Sequence, residues 1–156
     1  MRHQAPVEPS ELSLELYRRL SPGALSPYDI AMTRSVFLLV AGLMAIFFGA
    51  MMLAQPQQML TNMARDGGEA RFVLQWMGVV LLSVGVINVL ARNDPGSVSL
   101  RAIMLGNILL HVFGFGIDVY HHLLGFVQAS GVVTGGVVHT ALTVGFVYFL
   151  RRLPKH

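Results

Sequence analysis

The sequence predicts an all-α integral membrane fold, a four-helix bundle in up-down-up-down order preceded by a short amphipathic helix. Three observations predict it. The 156 residues are 54% hydrophobic and 12% charged, roughly half the charge of an ordinary soluble domain. A soluble fold of this size leaves too much surface exposed to hide that apolar content. The apolar residues also fall into four runs of about 20 residues, the length that crosses ~30 Å of hydrocarbon, and arginines stand at their ends.

Residues 1–34 have soluble character. Ser10 can cap a short helix from Glu11 to Leu20, broken by Ser21-Pro22-Gly23. Leu12, Leu16, Tyr17 and Leu20 share one face, with Glu15 and Arg19 at i,i+4 on the other side. Such a helix lies on the membrane surface, folds back on the bundle or docks a partner. The segment carries four acidic residues and no small-residue cleavage site follows the first apolar run, so it does not read as a cleavable signal.

The four spans are 35–54, 72–91, 102–124 and 131–150. Single runs of this length could be buried core helices, but four in succession with short connections are spans. The connections are Gln55–Arg71, Arg92–Arg101 with a turn at Asp94-Pro95-Gly96, and a tight one near Gln128–Ser130. Residues 151–156 form a basic tail.

Positive charge sets the orientation. Arg2, Arg18, Arg19, Arg34, Arg92, Arg101, Arg151, Arg152 and Lys155 would lie on one side, with Arg65 and Arg71 on the other. Nine against two predicts cytoplasmic amino and carboxyl termini in a cell inner membrane. The net charge of +3 comes from residues flanking apolar runs, not from a basic face interleaved with aromatics, which argues against nucleic acid. The absence of cysteine excludes disulfides and thiolate metal sites.

Glycines mark close-packing faces. Gly42 and Gly49 are seven apart in the first span, and Gly78 and Gly85 repeat that spacing in the second. Gly67-Gly68 and Gly135-Gly136 read as turn and packing. Ser83, Thr134, Thr140 and Thr143 are expected to satisfy backbone carbonyls or bridge helices. Asn88 falls near the inner end of its span, where it would be partly wet. Trp76 and Tyr148 fit interfacial anchors.

Chemistry concentrates in the third span. His111, Asp118 and His122 are spaced by seven and four residues, which places them within roughly 40° on one helix face. Asn107 and Met104 extend that stripe, while His121 points elsewhere and, with His122, lies near the outer surface. A carboxylate at membrane depth costs several kcal/mol unless paired, so Asp118 should face the bundle interior or the outer interface. His111 is about 15 Å from the inner end of its helix. His139 is about 17 Å from the inner end of the neighbouring antiparallel helix. At matching depth, the two imidazoles can hydrogen-bond across helices, bind a transition metal, ligate a haem or chlorin, or relay protons with Asp118. Asp118 or Asn107 could orient a metal-bound imidazole. No H-E-x-x-H, paired Glu-x-x-His or phosphate-binding glycine loop occurs, so no catalytic residue is assigned.

The run Gly49-Ala50-Met51-Met52-Leu53-Ala54-Gln55-Pro56, a second span beginning after Arg71, and Arg101-Ala102-Ile103-Met104-Leu105-Gly106 carry a resemblance over residues 34–152. Together they resemble small four-helix bacterial inner-membrane proteins of the DoxX-like kind. That resemblance implies a four-helix bundle. It also implies, for some members, a role beside quinone-dependent or sulfur-oxidising enzymes as a partner subunit. It transfers no catalytic residues.

Three functions follow in order. The first is an accessory or structural component of an inner-membrane complex, surrounded by lipid and joined to other subunits or to itself. The second is a cofactor-binding redox protein using His111 and His139. The third is a small proton-coupled transporter with Asp118 as the titrating group.

Overall fold

A computed structural model describes residues 26–62 and 68–154, and the expected helix at Glu11–Leu20 lies outside them. The described residues form α1 (Pro27–Ala54), α2 (Pro56–Asn62), α3 (Gly68–Ala91), α4 (Val98–Leu123) and α5 (Ala129–Arg151), with no strand among them. Four of these helices are long and apolar enough to cross a bilayer. The chain is a multi-pass membrane protein built as a helical bundle.

The first helix begins earlier than the run of uncharged residues. Ser26 caps it, its hydroxyl accepting the Asp29 N–H at 3.1 Å while the Asp29 carboxylate accepts the Ser26 N–H at 3.2 Å. Pro27 fits the first turn because its missing N–H would have been unpaired there. Residues 27–34 therefore belong to α1 and not to a separate polar segment. The first long connection also contains structure. Gln55 closes α1 with a backbone bond to the Met51 carbonyl, and Pro56 opens α2, whose Leu60 is buried.

The turn before α4 is built on Asp94. Its Oδ1 accepts the N–H groups of Gly96 at 2.8 Å and Ser97 at 2.7 Å, and its Oδ2 accepts the Ser97 hydroxyl at 2.8 Å. Gly96 has φ +118°, a conformation that side chains resist, which is why the expected turn needs glycine there. The Ser97 oxygen then caps α4 by accepting the Leu100 N–H at 3.1 Å. Burial alone would raise the Asp94 pKa. The hydrogen bonds from Ser97 and Gly96 and the nearby Arg34 charge outweigh that and hold it below its ordinary value.

Two hairpins result, α1 with α3 and α4 with α5, each packed along its length and touching the other sparingly. In the first hairpin the glycines meet in antiparallel register. A Cβ on Gly42 would stand 2.8 Å from the Gly85 carbonyl oxygen, and one on Gly49 would stand 2.7 Å from that of Gly78. Only hydrogen allows the two backbones to approach so closely. The glycine pairs of the two spans are therefore each other's partners.

The hairpins join at one end, where α1 starts, α3 ends, α4 starts and α5 ends. Leu38, Ala41, Leu100, Met104, Phe146, Phe149 and Leu153 form the buried cluster there. The Phe37 ring lies 4.9 Å from that of Phe146, edge to face. Polar bonds brace the same end. The Arg34 guanidinium donates to the Asp94 carbonyl at 2.5 Å, the Ser35 hydroxyl to Asn93 at 2.9 Å, and the Arg101 guanidinium to the Leu153 and Pro154 carbonyls. Away from this end the spans are open. In the four long helices only 11–22% of the most apolar stretch is buried, so most of it is open to lipid or to other helices.

Candidate functional site

The α4–α5 hairpin brings its polar residues together by register. α5 starts at Ala129 after a five-residue turn that uses Gly125 at φ +76°. The turn thus lies at Leu124–Gln128, slightly earlier than expected. It sets His139 against His111, with the Nδ1 atoms 3.0 Å apart. The rings are tilted by 54° with centroids 5.2 Å apart. A hydrogen bond at this distance requires one Nδ1 to donate and the other to accept, the roles being set by where each ring carries its proton.

Asp118 stands on the other side of His139. Its Oδ2 is 3.7 Å from His139 Nε2, within ion-pair reach and longer than a hydrogen bond. The three side chains therefore form a line, His111 to His139 to Asp118. The His111 ring lies nearly parallel to that of Phe146, at 22° and 6.0 Å, and Phe146 is fully buried. The line is thus half-exposed at Asp118 and closed by aromatic packing at His111.

Two glycines make the space. A Cβ on Gly114 would come 3.0 Å from His139 Cε1, and one on Gly135 would come 2.9 Å from Asp118 Oδ2. Gly135 was expected only to pack helices; it is the residue that lets the carboxylate lie against α5. Its neighbour Gly136 does pack, since a Cβ there would reach 2.7 Å from the Phe115 ring.

The rest of the expected stripe has other partners. Asn107 turns to α3, where its amide and that of Asn88 each donate to the other's oxygen at 2.9 Å. Asn107 Nδ2 also donates to the Ile103 carbonyl at 2.8 Å. Asn88 is 1% exposed, so it is dry rather than partly wet. Membrane depth alone misplaced it, because burial there depends on which helix faces it. His122 Nδ1 meets the Val127 carbonyl at 2.8 Å and braces the α4–α5 turn. His121 packs its ring on Tyr120 and Phe126. Ser83 and Thr134 donate to carbonyls four residues back, at 2.8 and 2.9 Å, as expected of hydroxyls in a span. Beside the Asn pair, Val84, Ile87, Ile103, Gly106, Asn107 and Leu110 line an apolar cleft of about 270 Å³ between α3 and α4.

Contact between the histidine rings limits what they can hold. Axial imidazoles on one haem iron stand about 4 Å apart across a flat macrocycle, given iron–nitrogen bonds of ~2 Å. At 3.0 Å no plane fits between them. Among the described residues no group of three or more His, Cys, Asp or Glu side chains is placed to hold a metal ion. The pair with its carboxylate can donate hydrogen bonds, exchange a proton or offer two nitrogens to one ion.

No protein-family model, no curated protein and no solved structure matches the chain.

Proposed function

We propose that the protein is an accessory component of a cell inner-membrane complex, with both termini cytoplasmic, allied to the DoxX-like proteins it resembles. The observation that carries the reading is the one-ended join between two separately packed hairpins. The buried cluster at Leu38, Leu100, Met104 and Phe146 closes one end. Farther along, the α3–α4 boundary opens as the cleft at Ile87, Ile103 and Gly106. Apolar faces in lipid gain little from burial as such. Helices there associate through close packing and interhelical hydrogen bonds, and Gly106 offers open space beside it for such packing. The connections are short: five residues join α4 to α5 and six join α3 to α4. Among the described residues that leaves little extramembrane surface for a soluble active site. An assembly role within the bilayer suits such a chain. The nine-to-two distribution of Lys and Arg supports the orientation.

The test is photo-crosslinking in the native membrane from a photoreactive residue at Gly106, with native mass spectrometry of the product. A defined adduct of fixed stoichiometry is expected. Recovery of only lipid adducts, with a monomer in mild detergent, would overturn the assignment.

A further inference from the structure

We propose that His111 and His139 are the two protein ligands of an open site for a late first-row divalent ion, copper or zinc, with Asp118 as the outer hydrogen-bond partner of His139. This goes beyond the assembly role and holds for the isolated chain.

The nitrogen positions carry the inference. The two Nδ1 atoms meet between neighbouring helices, 3.0 Å apart. An ion takes the place of the proton between them, sitting beside the line that joins them, and each imidazole then carries its proton on Nε2. With metal–nitrogen bonds of about 2.05 Å, that separation subtends about 94° at an ion. Cis positions of a tetragonal site have this angle, and a tetrahedral site needs the nitrogens to part to about 3.35 Å. The change in separation is a few tenths of an ångström, with a turn of the two rings that aims both nitrogens at the ion. Imidazole is a favoured ligand for copper and zinc, whereas magnesium and calcium prefer oxygen.

Asp118 supplies the second element. An imidazole that binds metal through Nδ1 must carry its proton on Nε2, and such a proton is ordinarily given to a carboxylate or carbonyl. His139 Nε2 faces Asp118 Oδ2 at 3.7 Å, so the carboxylate is on the side that this tautomer requires. Closing that gap to a hydrogen bond takes less than 1 Å of side-chain motion. The carboxylate also offsets half of a dication's charge in a region where isolated charge is costly.

The surroundings favour the same arrangement. Gly114 and Gly135 leave the volume that His139 and Asp118 occupy, and Phe146 lies nearly parallel to the His111 ring. Two protein donors leave the remaining coordination positions for water or a small ligand, which makes the site open rather than structural.

The experiment uses the full chain purified without a histidine tag, stripped with chelator and titrated with Zn²⁺ or Cu²⁺ against a competing chelator. One ion per chain is expected. His111→Phe and His139→Phe should each weaken it at least a hundredfold. Asp118→Asn should retain the stoichiometry and weaken affinity by about 10- to 100-fold. His121→Ala and His122→Ala should leave affinity unchanged. Electron paramagnetic resonance of the Cu²⁺-loaded wild type should show coupling to two nitrogens, a readout that does not depend on any variant folding. Absence of a stoichiometric ion, unchanged binding in the two Phe variants, or copper coupled to no nitrogen would each overturn the site.

Discussion

Asn88 and Asn107 hold each other by two amide hydrogen bonds of 2.9 Å, one in each direction, across the boundary between the two hairpins. They are 1% and 4% exposed, and neither has water available as a substitute. The pair thus fixes the register of α3 on α4 where apolar contact is thin. Truncating Asn107 strands the Asn88 amide, and truncating Asn88 strands the Asn107 oxygen while its Nδ2 keeps the Ile103 carbonyl. Asn88→Ala or Asn107→Ala should cost about 1–2 kcal/mol, between the penalty for an unpaired buried amide and the smaller values typical of interhelical bonds in membranes. Asn88→Ala with Asn107→Ala should cost less than the sum of the single changes. A double-mutant cycle on detergent unfolding checks this, and strict additivity would mean the two amides do not cooperate.

The glycine register of the first hairpin makes a contrasting prediction. Gly49→Ala and Gly85→Ala place a methyl within 2.6–2.7 Å of a facing backbone oxygen. Backbone cannot change rotamer, so α1 and α3 must part, at about 1–3 kcal/mol each. Gly106→Ala meets nothing within 4 Å and should be neutral or slightly stabilising through helix propensity. Thermal unfolding of the three variants in one detergent separates these outcomes.

The Asp94 turn predicts a pH dependence. Its folded pKa lies below its unfolded value, because turn hydrogen bonds and Arg34 outweigh desolvation. The stabilisation is therefore complete above the unfolded carboxylate range, about 3.9. It is lost as pH falls from there through the folded pKa. Asp94→Asn should lower the melting temperature at pH 7, and the gap should narrow on acidification towards pH 3. A gap constant over that range would show that the carboxylate charge is not what the turn uses.

Topology is accessible because the chain has no cysteine to block. Gln58→Cys on α2 and Ser99→Cys at the start of α4 are both exposed positions near opposite ends of the spans. With cytoplasmic termini, an impermeant thiol reagent should label Gln58→Cys in intact cells and Ser99→Cys only after permeabilisation. The reverse pattern would invert the orientation.

The spans were legible because hydrocarbon imposes length and polarity on sequence more strictly than a soluble core does. The depth match of His111 and His139 was legible for a related reason: helical rise is constant, so residue counts become distances. Partnership was less accessible. The glycine pairs announced close faces without saying that they face each other. Asn88 looked peripheral because its burial comes from Asn107 on another hairpin, a tertiary fact. The true start of α1 was hidden by Arg34, which marked a span edge while its guanidinium turned inward to the Asp94 carbonyl. The signal that could have found it was the Ser26-Pro27 cap with Asp29 three residues on. His122 shared a helix face with Asp118, yet proximity to the turn gave it a backbone partner instead.

Where α1 crosses α3, each of four glycines faces a backbone carbonyl of the other helix, with side chains such as Val89, Met52 and Ile46 beside it. In an ordinary helix interface, an enlarged side chain can be offset by a smaller one across the way. No such exchange is open to Gly42, Gly49, Gly78 or Gly85, because the atom opposite is a carbonyl oxygen that no substitution can shrink. Each of these four glycines should therefore be kept for as long as the crossing is kept, whatever its neighbours become. The α4–α5 hairpin, packed through rings and side chains, has the freedom to change that the first hairpin lacks.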